Sequence, residues 1–111
     1  MIDKKNTYTR MTEDGVLVAH AEMWDACMVE VDVISSGFCG GDAGHGGFAH
    51  VKIADAGSFY LVDDNLGSDV MSISFSVHGD SEITLLADAL WFAAKALRPY
   101  SSKHRNKMVK P

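Results

Sequence analysis

A glycine-rich segment, residues 37–47, carries the side chains whose types and spacing could do chemistry. Within it or just after it lie four potential metal ligands: Cys39, Asp42, His45 and His50. Zinc accepts thiolate, imidazole and carboxylate ligands in tetrahedral geometry, and Glu30 or Asp32 could complete such a set. The spacing matches none of the strong zinc signatures, which pair cysteines or histidines at short fixed intervals. A metal- or small-ligand-binding protein centred on residues 37–50 is therefore one of two functional interpretations.

The same segment offers two other kinds of chemistry, and the residue pattern argues against both. Cys39 and His45 could form a nucleophile and its base, with Asp42 as the orienting group. Such sites usually draw on several elements of a fold, so we predict no catalytic residue and no enzyme. A phosphate cradle would need a basic residue nearby, whereas no lysine or arginine lies between Arg10 and Lys52. We therefore predict no cofactor.

Six of the ten glycines lie in residues 37–47, and glycine is used where the backbone must turn sharply or approach another group closely. Two structural interpretations stay open. The segment could be a tightly wound connection between two strands, or a recognition loop that presents Phe38, Asp42, His45 and Phe48 to a partner. Exposed aromatic side chains beside small residues are typical of interface anchors.

Alternation of apolar and polar residues predicts that most of the chain before residue 80 is β-structure. Val29, Val31 and Val33 alternate with Glu30 and Asp32, which places the valines on a core face and the acids on the opposite face. The second strand has an alternative, since its last four residues could form a helical turn. The same pattern and the turn signals predict six strands, at residues 6–12, 16–23, 27–33, 48–54, 59–62 and 71–77.

The apolar spacing changes to a helical period after residue 80. Ile83, Leu86 and Leu90 lie three or four residues apart, and the same face continues to Leu97 before Pro99 ends the helix. An acidic or hydroxyl residue at position 80 or 81 could cap the first turn. The sequence therefore predicts one C-terminal helix over about residues 82–97.

An antiparallel sheet of about five to six strands with one C-terminal helix packed on one face is a two-layer sandwich of the α+β class. Its 111 residues match the size of one domain, which we assign to residues 1–98. We expect residues 99–111 to form a basic, flexible tail. Phe75 and Leu90 should lie at the junction of sheet and helix. The uncovered face of the sheet would be polar and open to binding.

Acidic residues dominate the body of the chain, although the overall formal charge is only −5. Between Met11 and Arg98 the sequence has three basic and fourteen acidic residues, so this stretch carries 3 − 14 = −11. Such a body repels phosphate backbones, and we predict no direct nucleic-acid binding by it. It could instead occupy a basic groove on a partner protein. The acidic residues predicted to bind in this way are Glu30, Asp32, Asp63, Asp64 and Asp69.

Other features bear on the compartment. No run of about 20 apolar residues, as a membrane span requires, is present, and no apolar stretch follows the N-terminal charges. The two cysteines, Cys27 and Cys39, are too few for a disulfide scaffold. We therefore expect a cytoplasmic protein with no membrane contact, for which a homo-oligomer is also compatible with the sequence.

The run from Gly40 to Gly47, followed by a strand and later by Gly79 and Asp80 at the start of an apolar helix, resembles small uncharacterised proteins of phages and prophages. The resemblance spans residues 29–97 and implies no catalytic residue. It implies a setting, because small phage accessory proteins often act by binding host machinery, including defence systems. By this analogy we expect a small acidic, non-enzymatic binding protein. It would be a phage-encoded inhibitor of a host nucleic-acid-handling or defence complex, as some anti-CRISPR proteins are.

Overall fold

The computed structural model describes residues 3–100, so the predicted tail lies outside the described residues from residue 101 onward. A 3-10 turn at Arg98–Tyr100 follows the helix, and its proline stands where the helix was predicted to end. The elements in chain order are β1 (Asp3–Met11), β2 (Leu17–Trp24), β3 (Met28–Ser35), β4 (Phe48–Gly57), β5 (Leu61–Asp63), β6 (Ser68–Val70), β7 (Ser72–His78) and α1 (Asp80–Leu97).

Five of the seven strands form one antiparallel sheet in the order β1-β2-β3-β4-β7, and β5 pairs with β6 in a separate two-stranded hairpin. This arrangement confirms the predicted α+β fold with an antiparallel sheet and one C-terminal helix. The alternative of a helical turn in the second strand is wrong, because Leu17–Trp24 pairs with β3 along its whole length. In the edge strand β1 the register shifts between Lys5 and Tyr8, which marks a bulge.

The strand register gathers the apolar residues on one side of the sheet. Val33 lies opposite Val51, and Val51 lies opposite Phe75, so side chains of equal parity share a face across β3, β4 and β7. The predicted register is therefore confirmed. We call this side the apolar face, which comprises Leu17, Ala19, Ala21, Met23, Val29, Val31, Val33, Ala49, Val51, Ile53, Ile73, Phe75 and Val77. The opposite side, the polar face, carries His20, Glu22, Glu30, Asp32, His50, Lys52, Ser74 and Ser76.

The helix α1 covers only part of the apolar face. Its main contacts with the sheet are with β7 and β4. Among residues 3–100, Ala49 and Val51 are the two hydrophobic residues that the fold buries, and both lie on β4. No residue of α1 itself is buried, although Ile83 and Leu90 are half-buried. The part of the apolar face on β2 and β3 is consequently half-exposed rather than sealed.

Two predictions about the sheet–helix junction are wrong. Phe75 is 39% exposed, because β7 is an edge strand and a residue there has a neighbouring strand on one side only. Leu97, on the predicted inner face of the helix, is also exposed. Helical spacing specifies which side of a helix is apolar, but it does not specify how far along the helix a packing partner extends. None of the helices in the described part of the chain is long and apolar enough to cross a membrane.

This distribution of burial predicts which valine matters for stability. Val51→Ala should lower the free energy of unfolding by about 2 kcal/mol, because two buried methyl groups are lost and a cavity remains. Val62→Ala, the same change on the exposed β5, should cost less than about 0.5 kcal/mol. Denaturant melts of the two variants test this difference. Equal losses would mean that the core does not lie at β4.

Candidate functional site

The glycine-rich loop and the first turn of α1 hold each other in place. The carboxylate of Asp80 accepts hydrogen bonds from the backbone N–H groups of Cys39 at 2.9 Å, Gly40 at 2.7 Å and Gly47 at 3.1 Å. These bonds, the first of them most strongly, hold the pKa of Asp80 below its ordinary value of 3.8. The carboxylate is therefore charged at neutral pH and aligned with three backbone dipoles.

Further hydrogen bonds run in both directions between the two segments. The carboxylate of Asp42 accepts from Ser81 N–H at 2.7 Å, and that of Glu82 accepts from Ala43 N–H at 3.0 Å. Asp80 N–H in turn donates to the Gly41 carbonyl at 2.7 Å. The first N–H groups of an α-helix have no partner within the helix, so this loop supplies part of the cap. We call this set of contacts the latch.

Glycine is required where the latch brings backbone against backbone. A Cβ atom at Gly46, whose φ is 111°, would lie 2.5 Å from the carbonyl oxygen of Gly41. At Gly79, whose φ is 145°, it would lie 3.0 Å from the backbone nitrogen of Ala43. Both positions combine a positive φ with a contact too short for a side chain. Gly46 is thus required by the packing of the loop on itself, and Gly79 by the close approach of Ala43 to the start of α1.

The latch separates the predicted metal ligands from one another. Asp42 is bonded to the first turn of α1, whereas His50 lies on the polar face with Nδ1 2.7 Å from the Ser76 hydroxyl. The thiol of Cys39 lies 3.6 Å from the Ser36 hydroxyl. Among residues 3–100, no group of three or more His, Cys, Asp or Glu side chains is placed to hold a metal ion. The described residues of this loop therefore do not come together as one set of metal ligands.

Two of the predicted recognition residues remain accessible beside the latch. Phe38 and His45 are both exposed. Phe38 borders a shallow open groove of about 420 Å³ whose other wall is the first turns of α1, including Thr84 and Leu85. Phe38 and Leu85 give the groove an apolar lining, which suits it to contact with an apolar group.

The polar face carries a cluster that the sequence analysis did not single out. His20 Nδ1 lies 2.6 Å from a carboxylate oxygen of Asp32, and its Nε2 lies 3.5 Å from Glu22. The ring of Tyr8 stacks on His20 with centroids 5.5 Å apart, and Arg10 lies over Tyr8. The hydrogen bond that the His20 ring donates to Asp32 is the main reason why the pKa of His20 is raised above 6.5. The available signal was strand parity, which places His20 directly opposite Asp32.

Of the two predicted binding residues on the polar face, Asp32 belongs to this cluster and Glu30 does not. Asp32 is occupied by His20, whereas Glu30 lies opposite Glu22 in the next cross-strand pair. Like charges at such positions destabilise a sheet modestly, so a basic group from a partner would be favourable there. Glu30 therefore remains a candidate contact.

The β5–β6 hairpin and its flanks, residues 60–71, form a projection that we call the arm. Its strand β5 contacts β7 of the main sheet, and the Met71 carbonyl accepts a hydrogen bond from the Asp55 N–H group of β4 at 2.8 Å. Tyr60 and Leu66 are 78% and 70% exposed, and Val62 and Met71 are exposed as well. Asp64 and Asp69 lie among these apolar side chains and are exposed.

Asp63, one of the predicted binding residues, has a structural role in the arm. Its carboxylate accepts hydrogen bonds from the backbone N–H groups of Asn65 at 2.9 Å and Leu66 at 3.3 Å, so it stabilises the turn of the arm. Reversal of this charge would therefore disturb the hairpin itself. Asp64 and Asp69 are the arm carboxylates whose side chains remain open to a partner.

The latch predicts a pH-dependent contribution of Asp80 to stability. Asp80→Asn should lower the thermal midpoint at neutral pH, whereas Asp64→Asn, on an exposed turn, should leave it unchanged. The folded pKa of Asp80 is depressed, so its contribution is present above 3.8 and is lost as pH falls through the folded pKa. Melts between pH 2 and pH 7 should show the two curves converging at the acidic end. A constant gap between wild type and variant would contradict this assignment.

The cluster on the polar face predicts a histidine titration. The pKa of His20 should fall in an Asp32→Asn variant, because the amide no longer stabilises the imidazolium ion. NMR titration of the ring protons measures this directly. Since the folded pKa is raised, the stability that this pair supplies is present below pH 6.5 and is lost as pH rises through the folded value. An unchanged titration would mean that the contact does not form in solution.

The accessible surfaces on the described residues include the groove beside Phe38, the polar face around Glu30, and the arm. The arm combines exposed apolar and acidic side chains. The glycine-rich loop, which first suggested chemistry, is engaged in the hydrogen bonds of the latch. Comparison with known proteins finds no matching family model, no matching curated protein and no matching solved structure.

Proposed function

We propose that this chain is a small acidic, non-enzymatic binding protein and that the arm is its recognition element. The observation that carries the proposal is the exposure of Tyr60, Val62, Leu66 and Met71 on a hairpin that also exposes two carboxylates. Clustered apolar side chains at a surface are a common mark of an interaction site. Tyrosine in particular is enriched among the residues that dominate binding energy.

The contacts within the arm leave several of its apolar side chains exposed. An isolated two-stranded hairpin is marginally stable in water, and β5 and β6 pair over only three residues each. Its turn is nevertheless well formed, because Asp63 accepts two backbone hydrogen bonds within it. A turn that is fixed in advance reduces the entropy lost on binding, so the arm suits a complementary pocket on a partner.

Charge narrows the kind of partner. Asp64 and Asp69 flank Leu66, and the stretch between Met11 and Arg98 carries a formal charge of 3 − 14 = −11. This field attracts a basic surface and repels nucleic acid. A basic surface with an apolar pocket is found where proteins hold nucleic acids through lysine, arginine and stacking aromatic side chains. We therefore propose a host nucleic-acid-handling or defence complex as the partner, and a phage-encoded inhibitor of the anti-CRISPR kind as the biological role.

The alternative centred on residues 37–50 has less support. The side chain of Asp42 and the backbone N–H groups of Cys39, Gly40 and Gly47 are all engaged in the latch. A small ligand at this loop would have to displace those hydrogen bonds. We therefore assign the loop a structural role and the arm the binding role.

The arm predicts a defined mutational pattern in a capture experiment. Immobilised protein is exposed to a bacterial lysate, bound proteins are identified by mass spectrometry, and the purified partner is measured at low and high salt. Leu66→Ala should weaken binding at least about tenfold through the dissociation rate. Asp64→Lys should slow association at low salt. At high salt the wild type should lose its faster association, because salt screens the attraction between the charges.

A matched control distinguishes the contribution of the arm from the attraction exerted by the overall negative charge of the protein. Glu13→Lys makes the same charge change at the exposed turn between β1 and β2 and should slow association less than Asp64→Lys. Nucleic acid should compete with the protein for the partner. Capture that is unchanged in the Leu66→Ala and Asp64→Lys variants would refute the assignment of the arm.

A further inference from the structure

The helix α1 carries a second apolar stripe that the fold leaves unpaired. The stripe consists of Leu85, Ala89, Phe92 and Ala96. At 3.6 residues per turn it lies about a third of a turn away from the half-buried side formed by Ile83, Leu86 and Leu90. Phe92 is 72% exposed, and Leu85 is exposed to a similar degree. We call these four residues the outer stripe.

We propose that α1 pairs antiparallel with α1 of a second copy of this chain through the outer stripe. The spacing of the stripe is four, three and four residues, which is the repeat of a helix–helix seam. The exposed Ala89 and Ala96 alternate with the larger Leu85 and Phe92, which allows the helix axes to approach closely. A single-copy fold gains nothing from a seam on this side of the helix.

The order of large and small residues in the stripe favours the antiparallel arrangement. Aligned about its midpoint, an antiparallel pair sets Leu85 of one copy opposite Ala96 of the other, and Phe92 opposite Ala89. Each large side chain then faces a small one, as interdigitated packing requires. The contact is self-complementary, which is the condition for a closed two-fold dimer.

Charge complementarity independently supports a second copy as the occupant. Asp88 and Lys95 flank the outer stripe seven residues apart on the same side. In an antiparallel pair these flanking positions face each other, so each Asp88 meets Lys95 of the second copy. A parallel pair would instead place Asp88 beside Ala93, with no cation to meet. Each helix thus supplies one acid and one base, and two copies can form two ion pairs across the seam.

The size of the seam sets the expected affinity. From Leu85 to Ala96 the stripe is about 17 Å long at 1.5 Å per residue. Pairing would bury on the order of 1,000 Å² in total, near the lower limit of specific interfaces, so we expect a dissociation constant in the micromolar range. The pairing does not depend on the proposed function, because the arm and the outer stripe are separate surfaces.

Sedimentation equilibrium of the full chain between 1 and 500 μM tests the proposal, with a reversible monomer–dimer equilibrium expected. Phe92→Ala should raise the dissociation constant at least about tenfold. Trp91→Ala is the matched control, since Trp91 is 59% exposed on another side of the same helix and should leave dimerisation unchanged. Circular dichroism establishes that each variant keeps its helix.

A charge swap separates this dimer from other associations. Asp88→Lys and Lys95→Asp should each weaken dimerisation, because like charges then meet across the seam. The double variant Asp88→Lys/Lys95→Asp should restore it. A chain that stays monomeric at 500 μM would overturn the proposal. So would a dimer that Phe92→Ala does not weaken, or one that the double charge swap fails to restore.

Discussion

The carboxylate of Asp80, bonded to three backbone N–H groups of the glycine-rich loop, is the interaction on which the C-terminal part of the structure depends. It joins the connection between β3 and β4 to the start of α1, two segments about forty residues apart in sequence. The helix contacts the sheet mainly at β7 and β4 and buries no residue of its own, so its position is determined largely at its first turn. A charged acceptor of several amide dipoles is among the stronger hydrogen-bonding arrangements available to a protein. The loop is therefore part of the framework that positions the helix.

This anchoring leaves the rest of α1 and much of the apolar face accessible. In a compact two-layer sandwich of this size, the central residues of β3 would be sealed by the helix, whereas Val29, Val31 and Val33 remain half-exposed. Hydrophobic burial is the main favourable term in folding, so a chain that leaves this much apolar surface open is suited to assembly. The arm and the outer stripe both offer such surfaces, but their charged neighbours differ. The arm is flanked by acids alone, whereas the outer stripe is flanked by an acid and a base. They accordingly suit different partners.

The strands of the main sheet, their faces and the helix were predictable from the sequence, because each is encoded by a local repeat, whereas the short strand β6 was missed. The alternation of Val29, Val31 and Val33 with Glu30 and Asp32 determines the faces of β3, and any shift by one residue would expose the valines. The latch was not predictable in this way. Asp80 and Cys39 are distant in sequence, and the backbone N–H groups that Asp80 binds leave no trace in side-chain types. The structural role of Asp63 was missed for a related reason, since a carboxylate bonded to its own turn and one free in solvent look alike in a sequence.

The bulge in β1 has a consequence for how copies of this protein meet. β1 is an edge strand whose outer backbone groups face no neighbour within the sheet, and such edges invite strand-to-strand aggregation. The register shift between Lys5 and Tyr8 interrupts the regular row of donors and acceptors that a second strand would need. Lys4, Lys5 and Arg10, half of the cations in the first hundred residues, also lie on this one strand. Two such edges brought together would repel each other in an otherwise acidic protein. This edge of the sheet is thereby guarded against strand-to-strand growth, and contact between copies is directed to other parts of the surface.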